Sequence, residues 1–141
     1  MLKGIPNVLS PDLLKVLMEM GHGDEIVIAD GNFPGAALAR TLIRLDGHGA
    51  VEVLNAILQL FPLDTYENPV YLMEKVQCDK VETPIWEEYK RIIAAEDSRG
   101  AEAIGQIERF AFYEEAKKAY AIIATGESAL YANVMLQKGV I

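Results

Sequence analysis

The sequence predicts one α/β domain, a mainly parallel central sheet flanked by helices. Three observations carry this. The segment "EIVIAD" sets four consecutive apolar residues, Ile26 to Ala29, between acids, which marks a short strand buried on both faces. Helix-period segments alternate with such runs along the chain, the order that produces parallel strands joined by crossover helices. A length of 141 residues suits one hydrophobic core, so residues 1–141 read as a single domain.

The first helix lies in "LSPDLLKVLMEMGHG". Ser10 is a good N-cap, because its hydroxyl can accept a bond from an otherwise orphan amide. Pro11 fits the first helical position, where a missing N–H costs nothing. Leu13, Leu14, Leu17, Met18 and Met20 form an apolar stripe, and Gly21 is the expected stop. The strand "EIVIAD" follows. In "VEVLNAILQLF", Leu54, Ile57, Leu58 and Phe61 recur at helical spacing, and Pro62 ends the helix. "PVYLMEKV" reads as a second strand. "TPIWEEYKRIIAAED" opens with Thr83 as N-cap and Pro84 behind it, and Trp86 belongs to its core-facing stripe with Ile85, Tyr89, Ile92 and Ile93. "DSRGAEAIG" reads as loop. An extended entry then leads into a helix from Phe112 to Lys118 and a strand from Tyr120 to Thr125. "YANVMLQKGVI" is a last strand running to Ile141, its apolar end packed on its own sheet or on a neighbouring subunit.

Composition narrows the function classes. The net charge is −8 and about half the residues are hydrophobic. Such a surface offers nothing to a phosphate backbone, which argues against nucleic acid. No apolar run approaches the ~20 residues of a membrane helix, and no leader pattern opens the chain, so a cytoplasmic protein is expected. One cysteine, Cys78, excludes an internal disulfide and reads as a small buried apolar side chain. Two histidines far apart, His22 and His48, give no metal-ligand cluster, and no phosphate-binding glycine loop is present.

The polar residues then divide between capping and chemistry. His22, between Gly21 and Gly23, suits either a helix C-terminus or acid–base work at neutral pH. Asp30 ends a predicted strand, as do Thr125, Gly126 and Glu127, and ligands of parallel sheets gather at strand carboxyl ends. Asp-Gly is equally a turn signal, and Asp64 in "PLDTYENP" has the same double reading. Lys117 and Lys118 read as a solvated helix face.

Taken together, "LSPDLLKVLMEMGHGDEIVIADGNFP", "RFAFYEEAKKAYAIIATGE" and "YANVMLQKGV" resemble the L-fucose mutarotase family, with a thinner likeness to the related D-ribose pyranases. The resemblance runs nearly end to end and is weakest over residues 77–106. It implies interconversion of the α and β anomers of a free monosaccharide, L-fucose first, by ring opening and closure with neither metal nor cofactor. It assigns His22 as the proton donor. It places Asp30, Arg109, Tyr131, Asn133 and the backbone of Ala132 on the sugar, with Asp64 and Tyr113 as further contacts. Arg109 is the fucose-type residue where ribose-type members carry histidine, and Asn32 stands where bacterial fucose-type members often have histidine. The resemblance also implies homo-oligomers, often decamers of two stacked five-membered rings with sites at subunit contacts. Two other readings stand beside it: a sugar-binding accessory protein of uptake without catalysis, and a D-ribose pyranase.

Overall fold

The computed structural model describes residues 1–141. Six strands build one sheet: β1 (Glu25–Ala29), β2 (Leu42–Leu45), β3 (Val70–Met73), β4 (Ile104–Ile107), β5 (Ala121–Thr125) and β6 (Val134–Gln137). Their spatial order is β2-β5-β1-β6-β3-β4. Neighbours pair in parallel except at β6, which runs antiparallel to both β1 and β3. Five strands therefore end at one edge of the sheet, and β6 alone begins there.

Five helices cover the two faces: α1 (Pro11–Glu19), α2 (Gly35–Leu38), α3 (Ala50–Leu58), α4 (Ile85–Glu96) and α5 (Arg109–Lys118). The larger core joins Leu13 of α1, Leu54 and Ile57 of α3, and Tyr89 and Ile93 of α4 to Ile26, Ile28, Ile123 and Leu136 of the sheet. The smaller core sets Phe112 and Ala116 of α5 against Val27, Ala29, Ile122 and Met135. Strand β1 thus feeds alternate side chains into two cores. That is the physical reason its sequence is apolar without a break.

Side chains close the helix ends. The Ser10 hydroxyl accepts from the Leu13 amide at 3.2 Å, and the Glu108 carboxylate accepts from Phe110 and Ala111 at 2.9 and 3.1 Å. Gly49 precedes α3 and has no side chain to cap it, so Glu127 reaches across the fold and takes the Ala50 amide at 3.1 Å. At the other end of α1 the Lys138 ammonium donates to the carbonyls of Leu17 and Met20 at 2.9 and 2.6 Å.

The structure departs from the sequence expectation at several places. The segment read as loop, residues 97–105, holds a 3-10 turn, Gly100–Ala103, and the first two residues of strand β4, which runs on into the extended entry. β4 lies at the sheet edge and carries Gly105 and Gln106, so it has no apolar pattern to read. Strand β2 and helix α2, each of four residues, are also additional. Helix α5 starts at Arg109 rather than Phe112, because Glu108 caps it there. The Thr83 side chain caps nothing in α4; its carbonyl accepts from the Trp86 amide instead. The left-handed glycine after α1 is Gly23, at φ +84°, not Gly21. Met18 points to solvent. Strand β6 ends at Gln137, and Val140 and Ile141 are exposed, so the chain's own sheet does not take the apolar end. Cys78 is exposed and left-handed, at φ +72°, rather than buried.

Candidate active site

Asp30 closes β1 at the edge where the five strands end, and is only 6% exposed. Asn133 stands beside it because β6 begins there, antiparallel to β1. The Asp30 amide donates to Asn133 Oδ1 at 2.8 Å, and Asn133 Nδ2 donates to Asp30 Oδ2 at 3.0 Å. The first of these bonds fixes which end of the Asn133 amide is oxygen. The Asn32 amide donates to Asp30 Oδ1 at 2.9 Å, so Asp30 forms the turn that its sequence suggests and faces the edge as well.

Thr125, Gly126 and Glu127 fasten this turn from below. Thr125 Oγ1 donates to the Ala29 carbonyl at 2.7 Å, and the Gly31 amide donates to the Glu127 carbonyl at 2.8 Å. Gly126 passes so close to residue 46 that a Cβ there would lie 2.0 Å from the Asp46 carbonyl oxygen.

A cleft of about 310 Å³ opens over Asp30, lined also by Asn32, Phe33, Asp79, Arg109, Tyr113, Tyr131 and Asn133. Arg109 is the first residue of α5, just past the carboxyl end of β4. Its Nε donates to the Tyr113 hydroxyl at 3.1 Å, and its guanidinium lies 5.5 Å from the centroid of the Tyr113 ring. Phe33 meets Tyr113 edge-on at 5.5 Å, which gives the cleft an aromatic wall. Tyr131 has a left-handed backbone, φ +57°, held from behind by two side chains of α4. Trp86 Nε1 donates to the Tyr131 carbonyl at 2.8 Å, and the Tyr89 hydroxyl donates to the Ala132 carbonyl at 2.6 Å. Trp86 is therefore in the core, as its spacing suggests, and it also supports the cleft.

The charges of the cleft are set by these contacts. Burial pushes the Asp30 carboxyl above its ordinary value, although the Asn32 amide, the Asn133 side chain and the Ala132 and Phe33 amides all favour its charged form. Arg109 is held more firmly protonated by the Tyr113 hydroxyl. An acceptor carboxylate and a fixed cation thus face one small cavity, at the low end of the roughly 300–1,000 Å³ usual for small-molecule sites.

His22 and Asp64 lie elsewhere. His22 precedes β1, so it sits at the opposite edge of the sheet from Asp30. Strand β1 has five residues, roughly 16 Å at about 3.3 Å each. There His22 Nε2 is 3.4 Å from Asp64 Oδ1, and its ring centroid is 5.8 Å from that of Tyr66. Burial raises the Asp64 carboxyl, but the Tyr66 and Thr65 amides and His22 outweigh it and hold it below the ordinary carboxylate range. One cation and one main-chain carbonyl brace this second cluster. Arg99 donates to the carbonyls of Asp64 and Glu67 at 2.5 and 3.0 Å while bound to Asp97, and the Lys138 carbonyl takes the Gly23 amide at 2.8 Å. Arg109, Tyr113, Tyr131, Asn133 and Asp30 share one cleft; His22 and Asp64 form a separate pair.

The RbsD / FucU transport protein family model matches residues 3–141. The chain belongs to that family. It is 51% identical to the fucose mutarotase of Homo sapiens over 99% of this chain and 94% of that protein. Its structure superimposes on that of FucU from Bifidobacterium longum with a TM-score of 0.97 at 60% identity, covering 99% of both chains. The fucose mutarotase of Streptococcus pneumoniae, solved in complex with L-fucose, gives a TM-score of 0.92 at 50% identity, again over 99% of both chains. The family resemblance and the α/β fold with a mainly parallel sheet are thus both found.

Within this family member, Asp79, Phe33 and Arg99 do not stand out from sequence. Asp79 lies in "EKVQCDKVE", which has no periodicity, and only the folded chain brings it to Tyr131, 52 residues on. Phe33 adjoins the Asp30 turn, and its position next to a strand end is the one signal that points to it.

Proposed function

We propose that this chain is an L-fucose mutarotase, a cofactor-independent isomerase that exchanges the α and β anomers of the free sugar. The observation that carries this reading is the cleft over Asp30, in a chain half identical to fucose mutarotases along nearly its whole length. A pyranose offers a ring of hydroxyls and a less polar face. Asp30 can accept from hydroxyls, Arg109 can donate to them, and the Phe33–Tyr113 wall suits the apolar face. In this reading Asp30, Arg109, Tyr131 and Asn133 hold the sugar, with Tyr113 and the Ala132 backbone completing the contact.

The reaction needs a proton removed from the anomeric hydroxyl and one delivered to the ring oxygen. The C–O bond of the hemiacetal then breaks, the aldehyde turns about C1–C2, and the reverse transfers close the ring. We assign the donor to His22 in its imidazolium form. Asp64 accepts a hydrogen bond from Nε2–H, which leaves Nδ1–H as the proton delivered to the ring oxygen, and the neutral Nδ1 then takes it back as the ring recloses. Because His22 and the cleft occupy opposite edges of one sheet, the reading requires two copies, with His22 and Asp64 of one facing the cleft of the next. Such a head-to-tail contact closes into a ring, of which a five-membered ring doubled to a decamer is one form. Exposed Val76, Phe110 and Leu130 offer apolar surface beside the cleft for that contact. No helix of the chain is long and apolar enough to cross a membrane, and with one exposed cysteine we place the enzyme in the cytoplasm.

Saturation-transfer NMR on L-fucose at anomeric equilibrium tests this. Exchange faster than in buffer, lost in His22→Ala and in Arg109→Ala, is the expected result. Binding of fucose with no acceleration would leave a sugar-binding protein, and faster pyranose–furanose exchange of D-ribose than of fucose would leave a ribose pyranase.

A further inference from the structure

The loop after β3 carries a carboxylate into the cleft. The Asp79 amide donates to the Val76 carbonyl at 2.9 Å, closing a turn around left-handed Cys78. Asp79 Oδ1 accepts from the Val81 amide at 2.9 Å, so the carboxylate is held by its own loop. Its other oxygen receives the Tyr131 hydroxyl at 2.5 Å. The Tyr131 backbone is fixed in turn by Trp86, which donates to its carbonyl, and by Tyr89, which donates to the carbonyl of Ala132 next to it. Two rigid elements therefore meet at one phenol.

We infer that Asp79 is a positioning residue that fixes the polarity of Tyr131, making its phenol oxygen a hydrogen-bond acceptor toward the sugar. This rests on the reading of the cleft as a fucose site. The argument is an inventory. A phenol has one proton and two lone pairs. Asp79 takes the proton. The Val76 amide, at 3.3 Å, takes one lone pair. One lone pair remains, free to accept from a sugar hydroxyl that donates. The electrostatics agree: the Tyr131 hydroxyl and the Val81 amide hold the Asp79 carboxyl below its usual range, and Asp79 in turn raises the Tyr131 phenol. A sugar whose group at that place cannot donate meets two acceptors face to face, which is how the site would discriminate.

The isosteric variant Asp79→Asn makes this sharp. The Val81 amide still needs an acceptor, so the new side chain keeps its oxygen there and turns its NH2 to the phenol. Tyr131 must then receive from the loop and point its own proton into the cleft, with its polarity reversed. The expected result is a rise in the KM for L-fucose of about tenfold, with a smaller change in kcat, in Asp79→Asn and Asp79→Ala alike. Tyr131→Phe should lose a similar amount, and Asp79→Ala combined with Tyr131→Phe should be no worse than Tyr131→Phe alone. Carbon-13 NMR of labelled tyrosine supplies a readout that needs no sugar. The phenol missing from Tyr131→Phe should titrate above free tyrosine in the wild type and fall in Asp79→Ala. Wild-type KM in Asp79→Asn, multiplicative losses in the double variant, or an unmoved phenol titration would each overturn the inference. If the wild-type protein leaves fucose exchange at its rate in buffer, the functional reading falls, and the phenol titration alone decides whether the Asp79–Tyr131 lock stands.

Discussion

Asn133 holds Asp30 by both of its amide atoms: Oδ1 receives the Asp30 main-chain N–H at 2.8 Å, and Nδ2 donates to the Asp30 carboxylate at 3.0 Å. Two residues 103 positions apart thereby tie the end of β1 to the start of β6. Asn133→Asp should destroy this match, because a second buried carboxyl would face the first and one of the two would have to stay protonated. Denaturant melts should show a loss of about 2–4 kcal/mol at neutral pH, recovered in part on acidification.

Asp30 itself should give stability an inverted dependence on pH. Its folded pKa is raised, with burial the largest cause. A group raised in the folded state contributes stability that is complete below the unfolded value, about 3.9, and lost as pH rises through the folded one. The stability of the wild type relative to Asp30→Ala should therefore fall as pH rises from about 4 through the raised folded pKa, and then level. A difference that grows with pH would mean that the hydrogen bonds to Asp30 outweigh its burial.

Three glycines around the two clusters should rank clearly when changed to alanine. At Gly126 the new Cβ would strike the Asp46 carbonyl oxygen, which is backbone and cannot step aside, for a loss of about 3 kcal/mol or more. At Gly23 there is open space but φ is +84°, so about 1–2 kcal/mol of strain is expected. At Gly21 the nearest atom is Asp24 Oδ2 at 3.7 Å, and thermal melts should register little change.

The separation of His22 from the cleft predicts complementation. His22→Ala and Arg109→Ala should each be inactive alone. After mixing, unfolding and joint refolding in equal amounts, a site shared between neighbours would draw both intact residues in roughly a quarter of cases. Recovery of that share of fucose exchange is expected, and none at all would mean that each copy works alone.

Much of this fold could be read in advance because its buried parts announce themselves. β1 is apolar on both faces, α1 carries Ser10 and Pro11 at its start, and the stripe of α4 is complete from Ile85 to Ile93. The strands β2 and β4 could not be read, since edge strands of four residues bury too little to leave a pattern. In the site, Asp30 was visible as a strand end. The distance of His22 from it was also implicit, because a strand between two residues puts them at opposite edges. Asp79 was beyond reach: its importance is a contact with Tyr131, and no local spacing encodes a contact across 52 residues.

Trp86 is the only tryptophan in the chain, and its indole N–H ends on the carbonyl of Tyr131. The protein therefore carries a built-in optical gauge of its own cleft. Any ligand that shifts Tyr131 alters the hydrogen bond of the one strongly emitting side chain, so occupancy can be followed by intrinsic fluorescence without a label.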